Sequence, residues 1–415
     1  MTVLPFIAKP RSNTMLRTGM RVGIDVRLAH WPGIGRYIEE VVSHMVRDFA
    51  QTEFVLFANS AGPSTLRTYA DPNLQGRLSA PNVRFVPCQV QPFALTEPWQ
   101  LGRAAQAQGL DVMHSPYINI PWLSYNLPLV ATLHDFRHPD LALRAASPRS
   151  WAKRAYYETL TRLALHRAAR VVSVSQFLAQ QLLAFQPALA GRLEVITHAA
   201  GADFTPLPDG DAAAEVARNF ALVGRYFLFV GTLKPHKNLL AVVRALAHSA
   251  IPADVQLAVA AAPDDRYPEV MAAVKELGLT RRVHFLGHVE KQRLPALYGA
   301  ARATLLPSSY ESFGLPVIES MACGTPVIAA PFASLPEVGG SAAWFAQPTA
   351  DGMCAAMQIA LFNDAEHARR VAAGLLRARQ FSWQRAATAL HKVYENAACG
   401  HSQRVPTAHR VEVKG

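Results

Sequence analysis

Short apolar runs bounded by Gly, Pro or polar clusters recur along the chain, and longer amphipathic stretches alternate with them. From Arg21, RVGIDVRL predicts a first strand, and PGIGRYIEEVVSHMVRDF a glycine-containing turn followed by a helix. EFVLFAN, VRFVPC, DVMHSP, LPLVATLHD and RVVSVS predict further strands. QFLAQQLLAF predicts a helix, and LEVITHAA closes this series. Two prolines and a polar cluster in GADFTPLPDGDAAAEV mark a domain boundary near 200–212. A second series follows: YFLFVGT, the helix KNLLAVVRALAH, VQLAVAA, the helix EVMAAVKELG, VHFLGHV, the helix LPALYGAA, then ATLLP and PVIAA. A last helix spans about Trp383 to Ala397. Strands alternating with helices predict an α/β chain with parallel, doubly wound sheets in two domains, 21–200 and 201–382. Residues 1–20 are expected to form a disordered basic leader, and 398–415 a disordered polar tail.

Composition agrees with this picture and narrows it. The chain has 415 residues, 50% of them hydrophobic and 17% charged, as two domains with large buried cores require. No apolar run reaches the roughly eighteen residues of a membrane span, since prolines and polar residues break PYINIPWLSYNLPLVATL. Cys88, Cys323, Cys354 and Cys399 are scattered, without C-x-x-C spacing or a metal-site histidine nearby, so a reducing cytoplasm is expected. The formal charge is +11, and the stretch from Arg144 to Arg170 sets seven basic residues against Glu158 alone. Trp151, Tyr156 and Tyr157 interleave with them. Such a stretch suits an anionic membrane surface, placing the protein peripherally at the inner face of the plasma membrane. A solvated helix face is the alternative. No recognition motif accompanies the charge, so nucleic acid is not expected as a partner.

The densest candidate chemistry lies in PSSYESFGLPVIESMACGTPVIAA. SSYESFGLP predicts a loop, Pro316 suits the first position of a helix, and Gly324 suits the position just past its end. Glu311 then lies on the loop and Glu319 on the first helical turn. The N–H groups of Phe313, Gly314 and Leu315 point into the same space, and a helix N-terminus with free donors binds phosphate. Carboxylates beside such a site can accept from sugar hydroxyls, a combination that suits a sugar nucleotide.

Other motifs follow predicted strands. In FVGTLKPHKNL, the Gly231–Thr232 turn precedes Lys237 near a helix N-terminus. There a cation opposes the helix dipole, which favours a functional lysine. His134 and Asp135 end the strand LPLVATL, where the crevice of an open α/β sheet lies. Gly33 and Gly35 lack the third glycine of a dinucleotide fingerprint, because Ile38 stands there. They form either a tight turn or a loop whose backbone approaches a ligand. Asp209-Gly210-Asp211 has D-x-D spacing but reads as a turn and helix cap, so no metal is assigned. Ser173 and Ser175 read as helix-capping residues.

The Glu311–Glu319 run, with FG after the first glutamate and GTPVIA after the helix, resembles the E-x7-E motif of retaining glycosyltransferases of family 4 (group 1), which have the GT-B fold. GTLKPHKN and TLHD extend the resemblance, and GIGRY is similar to the first loop of mannosyltransferase-like members. It covers most of the chain from Arg21 to about Ala397. It implies two Rossmann-like domains facing across a cleft, with the 383–397 helix returning to the first. It implies that Glu319 takes the ribose and Glu311 the donor sugar. Lys237, with the Gly314 and Leu315 N–H groups, would serve the leaving diphosphate. Gly35, the Gly231–Thr232 turn and His134 complete the site, with Asp135 orienting its neighbours. Many members carry Arg after the glycine, where Thr232 stands here, so the second cation is left open between His236, Lys234 and another residue. The implied activity is metal-independent, retaining hexosyl transfer, with GDP-mannose as favoured donor. The acceptor is a saccharide or lipid-linked saccharide of cell-surface polysaccharide synthesis. Alternatives are a sugar-nucleotide epimerase, a phosphorylase or a catalytically silent sugar-binding scaffold. A nicotinamide oxidoreductase is disfavoured by the failed fingerprint.

Overall fold

A computed structural model describes residues 19–402 except 32, 60–77, 79, 93, 95, 119, 122–126, 137–147 and 209; the side chains of 148–154, 157, 401 and 402 also lie outside the description. Most of the expected leader and tail, Asp209, Arg144, and the side chains of Arg149, Trp151, Lys153, Arg154 and Tyr157 are therefore outside the described residues.

Two parallel sheets form the frame. The first contains β1 (Arg21–Asp25), β2 (Glu53–Ala58), β3 (Val83–Pro87), β4 (Val112–Ser115), β5 (Leu129–Leu133), β6 (Arg170–Ser173) and β7 (Leu193–Val195) in the order β3-β2-β1-β4-β5-β6-β7. The second contains β8 (Tyr226–Val230), β9 (Gln256–Ala260), β10 (Val283–Phe285), β11 (Ala303–Leu306), β12 (Val327–Ala329) and β13 (Trp344–Phe345) in the order β10-β9-β8-β11-β12-β13. β4, β5 and β11 are buried along their whole length, as strands covered by helices on both faces must be. Strand order reverses between β1 and β4 in one sheet and between β8 and β11 in the other. Ligand crevices open at such switch points, beyond the carboxyl ends of the strands. GIGRY follows β1, GTLKPHK follows β8 and SSYESFG follows β11, so three candidate motifs stand at these two points.

The helices are α1 (Ile34–Asp48), α2 (Glu97–Gln106), α3 (Pro148–Arg167), α4 (Gln176–Phe185), α5 (Asp211–Phe220), α6 (Leu239–Leu246), α7 (Glu269–Glu276), α8 (Leu294–Gly299), α9 (Leu315–Ala322), α10 (Leu335–Gly339), α11 (Ala350–Phe362), α12 (Asp364–Ala378) and α13 (Trp383–Ser402). Of these, α2, α10, α11, α12 and the strand β13 were not expected from the pattern. α13 continues past Ala397, so residues 398–402 are helical. Its buried Trp383, Ala387, Leu390, Val393 and Tyr394 share a core with Val22, Ile24, Tyr37 and Phe54 of the first sheet region. A buried hydrogen-bond chain reinforces this docking: Tyr394 Oη lies 2.8 Å from His114 Nδ1, His114 Nε2 lies 2.9 Å from Thr132 Oγ1, and Thr132 lies 3.0 Å from Tyr37 Oη.

The sheets meet through apolar and polar contacts. One buried cluster joins Leu178 and Leu182 of α4 to Phe313, Val317 and Leu335 around α9 and α10. The N-terminus of α4 is fully capped. Ser175 accepts from Leu178 N–H at 3.1 Å, and the Glu337 carboxylate of α10 accepts from Gln176 and Phe177 N–H at 2.8 and 3.0 Å. The capping role expected of Ser175 is thus present, and its hydroxyl also donates to the Ser312 carbonyl at 2.6 Å. Ser173 donates to the Ser175 carbonyl at 2.8 Å.

Candidate active site

The loop from β11 to α9 is fixed before α9 begins. The Ser334 hydroxyl contacts the carbonyls of Glu311 and Phe313, each at 2.8 Å. Gly314 is the N-cap residue with φ +93°, a left-handed conformation that favours glycine, and a Cβ there would lie 3.0 Å from the Leu335 side chain. The N–H groups of Phe313, Gly314 and Leu315 find no protein acceptor among the described residues. Pro316 is the second helical residue, not the first, because α9 starts at Leu315. Gly324, with φ +77°, follows the end of the helix as expected.

Each glutamate already holds a cation. Lys237 Nζ lies 2.7 and 2.8 Å from the two oxygens of Glu311. Lys237 ends the Pro235–Lys237 3-10 turn, and Asn238, with φ +52°, is the N-cap residue of α6. His236 is 8% exposed, its carbonyl accepting from Ser309 N–H at 2.8 Å. Lys234 is half-buried, and Gly231 and Thr232 lie half-buried and exposed on the turn after β8. Glu319 stands in the second turn of α9, a correction to its expected place, because α9 begins at Leu315. It is 4% exposed; one oxygen accepts from Arg36 Nη1 at 2.8 Å and the other from the Tyr298 hydroxyl at 3.0 Å. Arg36 crosses from α1 in the first-sheet region, with its guanidinium 5.2 Å from the Phe204 ring centre.

The first-sheet wall contributes His134, Asp135 and the GIGRY turn. Gly35 has a packing requirement: a Cβ there would meet the Ala29 carbonyl oxygen at 2.1 Å. Gly33, with φ +81°, faces open space. The Asp135 carboxylate accepts from the Ser312 hydroxyl, so it orients the loop after β11. His134 is half-buried but its Nε2 is sealed without a hydrogen-bond partner. Burial brings its pKa down to about 3, against a backbone bond at Pro116, so it is neutral near neutral pH.

Beside it stands a residue that the sequence reading missed. His198 is 4% exposed, with both ring nitrogens unpartnered. Its ring centre lies 5.3 Å from those of Tyr37, His134 and Trp383, and 5.0 Å from Phe313. Burial, then the neighbouring His134, holds its pKa well below the ordinary histidine value. A lone His in VITHAAG carries no pattern that could have marked it.

Among the described residues, no three His, Cys, Asp or Glu side chains gather as a metal site. Gly210 is the N-cap of α5 and Asp211 its first residue, which places the end of the D-x-D segment at a helix start. Likewise, no helix among them is long and apolar enough to cross a membrane.

Comparison with known proteins agrees with this arrangement. Residues 216–374 match the model of glycosyl transferases group 1, and residues 32–198 match that of the glycosyl transferase 4-like domain. The chain is 27% identical over 389 residues to O-antigen chain mannosyltransferase B of Escherichia coli, covering 88% of this chain and 96% of that protein. It is 30% identical over 324 residues to a D-inositol 3-phosphate glycosyltransferase of Mycobacterium sp. (strain KMS), covering 73% and 71%. Among solved structures, sucrose-phosphate synthase from Thermosynechococcus elongatus superposes with a TM-score of 0.73 at 21% identity, covering 92% of this chain and 100% of that one. HepE of Anabaena in complex with UDP and glucose superposes with a TM-score of 0.70 at 19% identity, covering 91% and 99%.

Proposed function

The chain belongs to the glycosyl transferases of group 1, enzymes with two Rossmann-like domains in the GT-B fold, and from that premise we propose that it is a retaining hexosyltransferase using a nucleotide-diphospho-sugar. The observation that carries this reading is the N-terminus of α9. Its free N–H groups stand between Glu311, paired with Lys237, and the buried Glu319.

In this reading Glu319 accepts from the ribose hydroxyls and Glu311 from hydroxyls of the donor sugar. The bond between the anomeric carbon and the leaving phosphate oxygen breaks. The acceptor hydroxyl oxygen bonds to that carbon on the same face, and its proton passes to the departing phosphate. Negative charge therefore grows on the diphosphate, and Lys237 with the Gly314 and Leu315 N–H groups stabilises it as it grows. Lys237 exchanges part of its contact with Glu311 for phosphate.

Mannose is the favoured sugar, supported by the relative named an O-antigen chain mannosyltransferase; this favours GDP-mannose. The same relative supports a saccharide or lipid-linked acceptor in polysaccharide synthesis. The seven basic residues between Arg144 and Arg170 support a peripheral contact with an anionic bilayer, tested by cosedimentation with anionic liposomes at low salt. Failure of wild-type protein to cosediment removes that contact.

The test of the activity is a panel of sugar nucleotides with purified protein, followed by transfer and the anomeric configuration of the product. Retained configuration with a GDP- or UDP-hexose is expected. Inversion, or turnover of no sugar nucleotide, overturns the reading; free nucleotide diphosphate and an epimerised sugar formed without acceptor identify an epimerase. Transfer is expected to survive EDTA, and loss that Mn²⁺ restores refutes metal independence.

A further inference from the structure

We propose that Arg36, reaching across the cleft from α1, is the second cation that binds the nucleotide diphosphate; the proposal rests on the sugar-nucleotide reading above. Arg36 is the third residue of α1, where a positive charge opposes the helix dipole and no acidic residue accompanies it in the first turn. Its placement therefore does not favour the helix that carries it. It is instead directed 283 positions along the chain, to Glu319 at 2.8 Å.

The nucleotide competes for the partner that Arg36 now has. Tyr298 occupies one oxygen of Glu319 and Arg36 the other. A ribose diol that takes Glu319 displaces the guanidinium toward the phosphate side of the ribose. Glu319 is the sole acceptor that the described residues supply to Arg36, so the rest of its five-donor fork is uncommitted. The side chain is 17% exposed and rests on Phe204, which leaves it reachable from the cleft. A planar fork of this kind matches phosphate in a bidentate manner.

Neighbouring cations are less available. Lys291 is 9% exposed and sits 3.1 Å from both Glu39 and Glu40, and His236 is buried. Lys237 reaches Glu311, on the loop that precedes α9. Arg36 and Lys237 would thus approach the diphosphate from the two walls of the cleft, one for each sheet.

The test is calorimetric titration of wild type, Arg36→Met and Arg36→Lys with UDP, GDP, uridine and guanosine. Losing a charge-assisted hydrogen bond should lower the affinity for the recognised diphosphate by about 10- to 150-fold in Arg36→Met. The matching nucleoside should bind as well as before or better, because Glu319 is released to it. Arg36→Lys should recover part of the loss. Should the methionine variant fail to fold, Arg36→Gln, which keeps a donor for Glu319, is held to the same criterion. An unchanged ratio of diphosphate to nucleoside affinity overturns the proposal and leaves Arg36 as a brace between the sheets. Wild-type protein that binds no nucleoside diphosphate overturns the sugar-nucleotide reading itself, and this proposal with it.

Discussion

Replacing Glu319 by glutamine separates the charge of that side chain from its shape. The amide has the same length and keeps a carbonyl oxygen for the Tyr298 hydroxyl, which lies 3.0 Å from the carboxylate. What is lost is the ion pair with Arg36, whose two side chains are 17% and 6% exposed. Exposed pairs contribute roughly 0–1 kcal/mol, while breaking a fully buried one costs roughly 3–5 kcal/mol. Arg36 can turn to water, so a loss of about 1–2 kcal/mol in folding stability is expected. For the ligand, a hydrogen bond to a charged group contributes about 1.5–3 kcal/mol. The ribose must first displace Arg36, so the lower end applies, and nucleoside affinity should fall a little more than tenfold, about 1.5 kcal/mol. Urea denaturation gives the first quantity and calorimetric titration with the nucleoside gives the second. Wild-type affinity in a folded Glu319→Gln protein removes Glu319 from the ribose site. A gain in affinity refutes the balance drawn here, since the Arg36 contact would then outweigh the ribose bond.

Lys237→Ala should lower turnover by roughly 10²–10³-fold and donor KM far less, as expected for a group that meets charge developing on the leaving diphosphate; steady-state kinetics with wild-type kcat refutes this role. Gly35→Ala places a methyl 2.1 Å from the Ala29 carbonyl oxygen, a backbone atom that cannot easily yield. It should destabilise the protein by roughly 1–3 kcal/mol in chemical denaturation, and an unchanged midpoint refutes the close packing. Burial, then the neighbouring His134, brings the pKa of His114 down to about 3, so the folded protein keeps it neutral where the unfolded chain, near 6.5, protonates it. Its contribution is complete above about pH 6.5 and is lost as the pH falls toward about 3, with about 2 kcal/mol gone by pH 5. Denaturation midpoints that stay level between pH 7 and pH 5 refute this, and His114→Asn should make the slope shallower without abolishing it, because His134 and His198 are also held neutral by burial.

The strands were legible because apolar runs such as YFLFV and LVATL are buried along nearly all their length and end at Gly, His or Pro. The β11–α9 loop was legible for the same reason, since Gly314, Pro316 and Gly324 each act on the backbone locally. Glu319 falls just into the second turn because the helix starts one residue early, at Leu315, which moves it from the fourth to the fifth helical position. α11 escaped because an Ala-rich, largely apolar segment gives no clear polar face, and β13 has only two residues. The partner of Arg36 was beyond reach, as was the cage around His198. Both join side chains from distant parts of the chain, and nothing local encodes such a meeting.

Glu337 gives the cleft its own clock. The amides of Gln176 and Phe177 belong to α4, yet the oxygens that shield them belong to α10, on the other side of the cleft. Whenever the two sides part, those two N–H groups face solvent, while that of Leu178 stays bonded to Ser175 within its own helix. Deuterium uptake at Gln176 and Phe177, referenced to Leu178, therefore counts opening events and is insensitive to fraying of α4 as a whole. A nucleotide that holds the sides together will slow exchange at two amides it never touches.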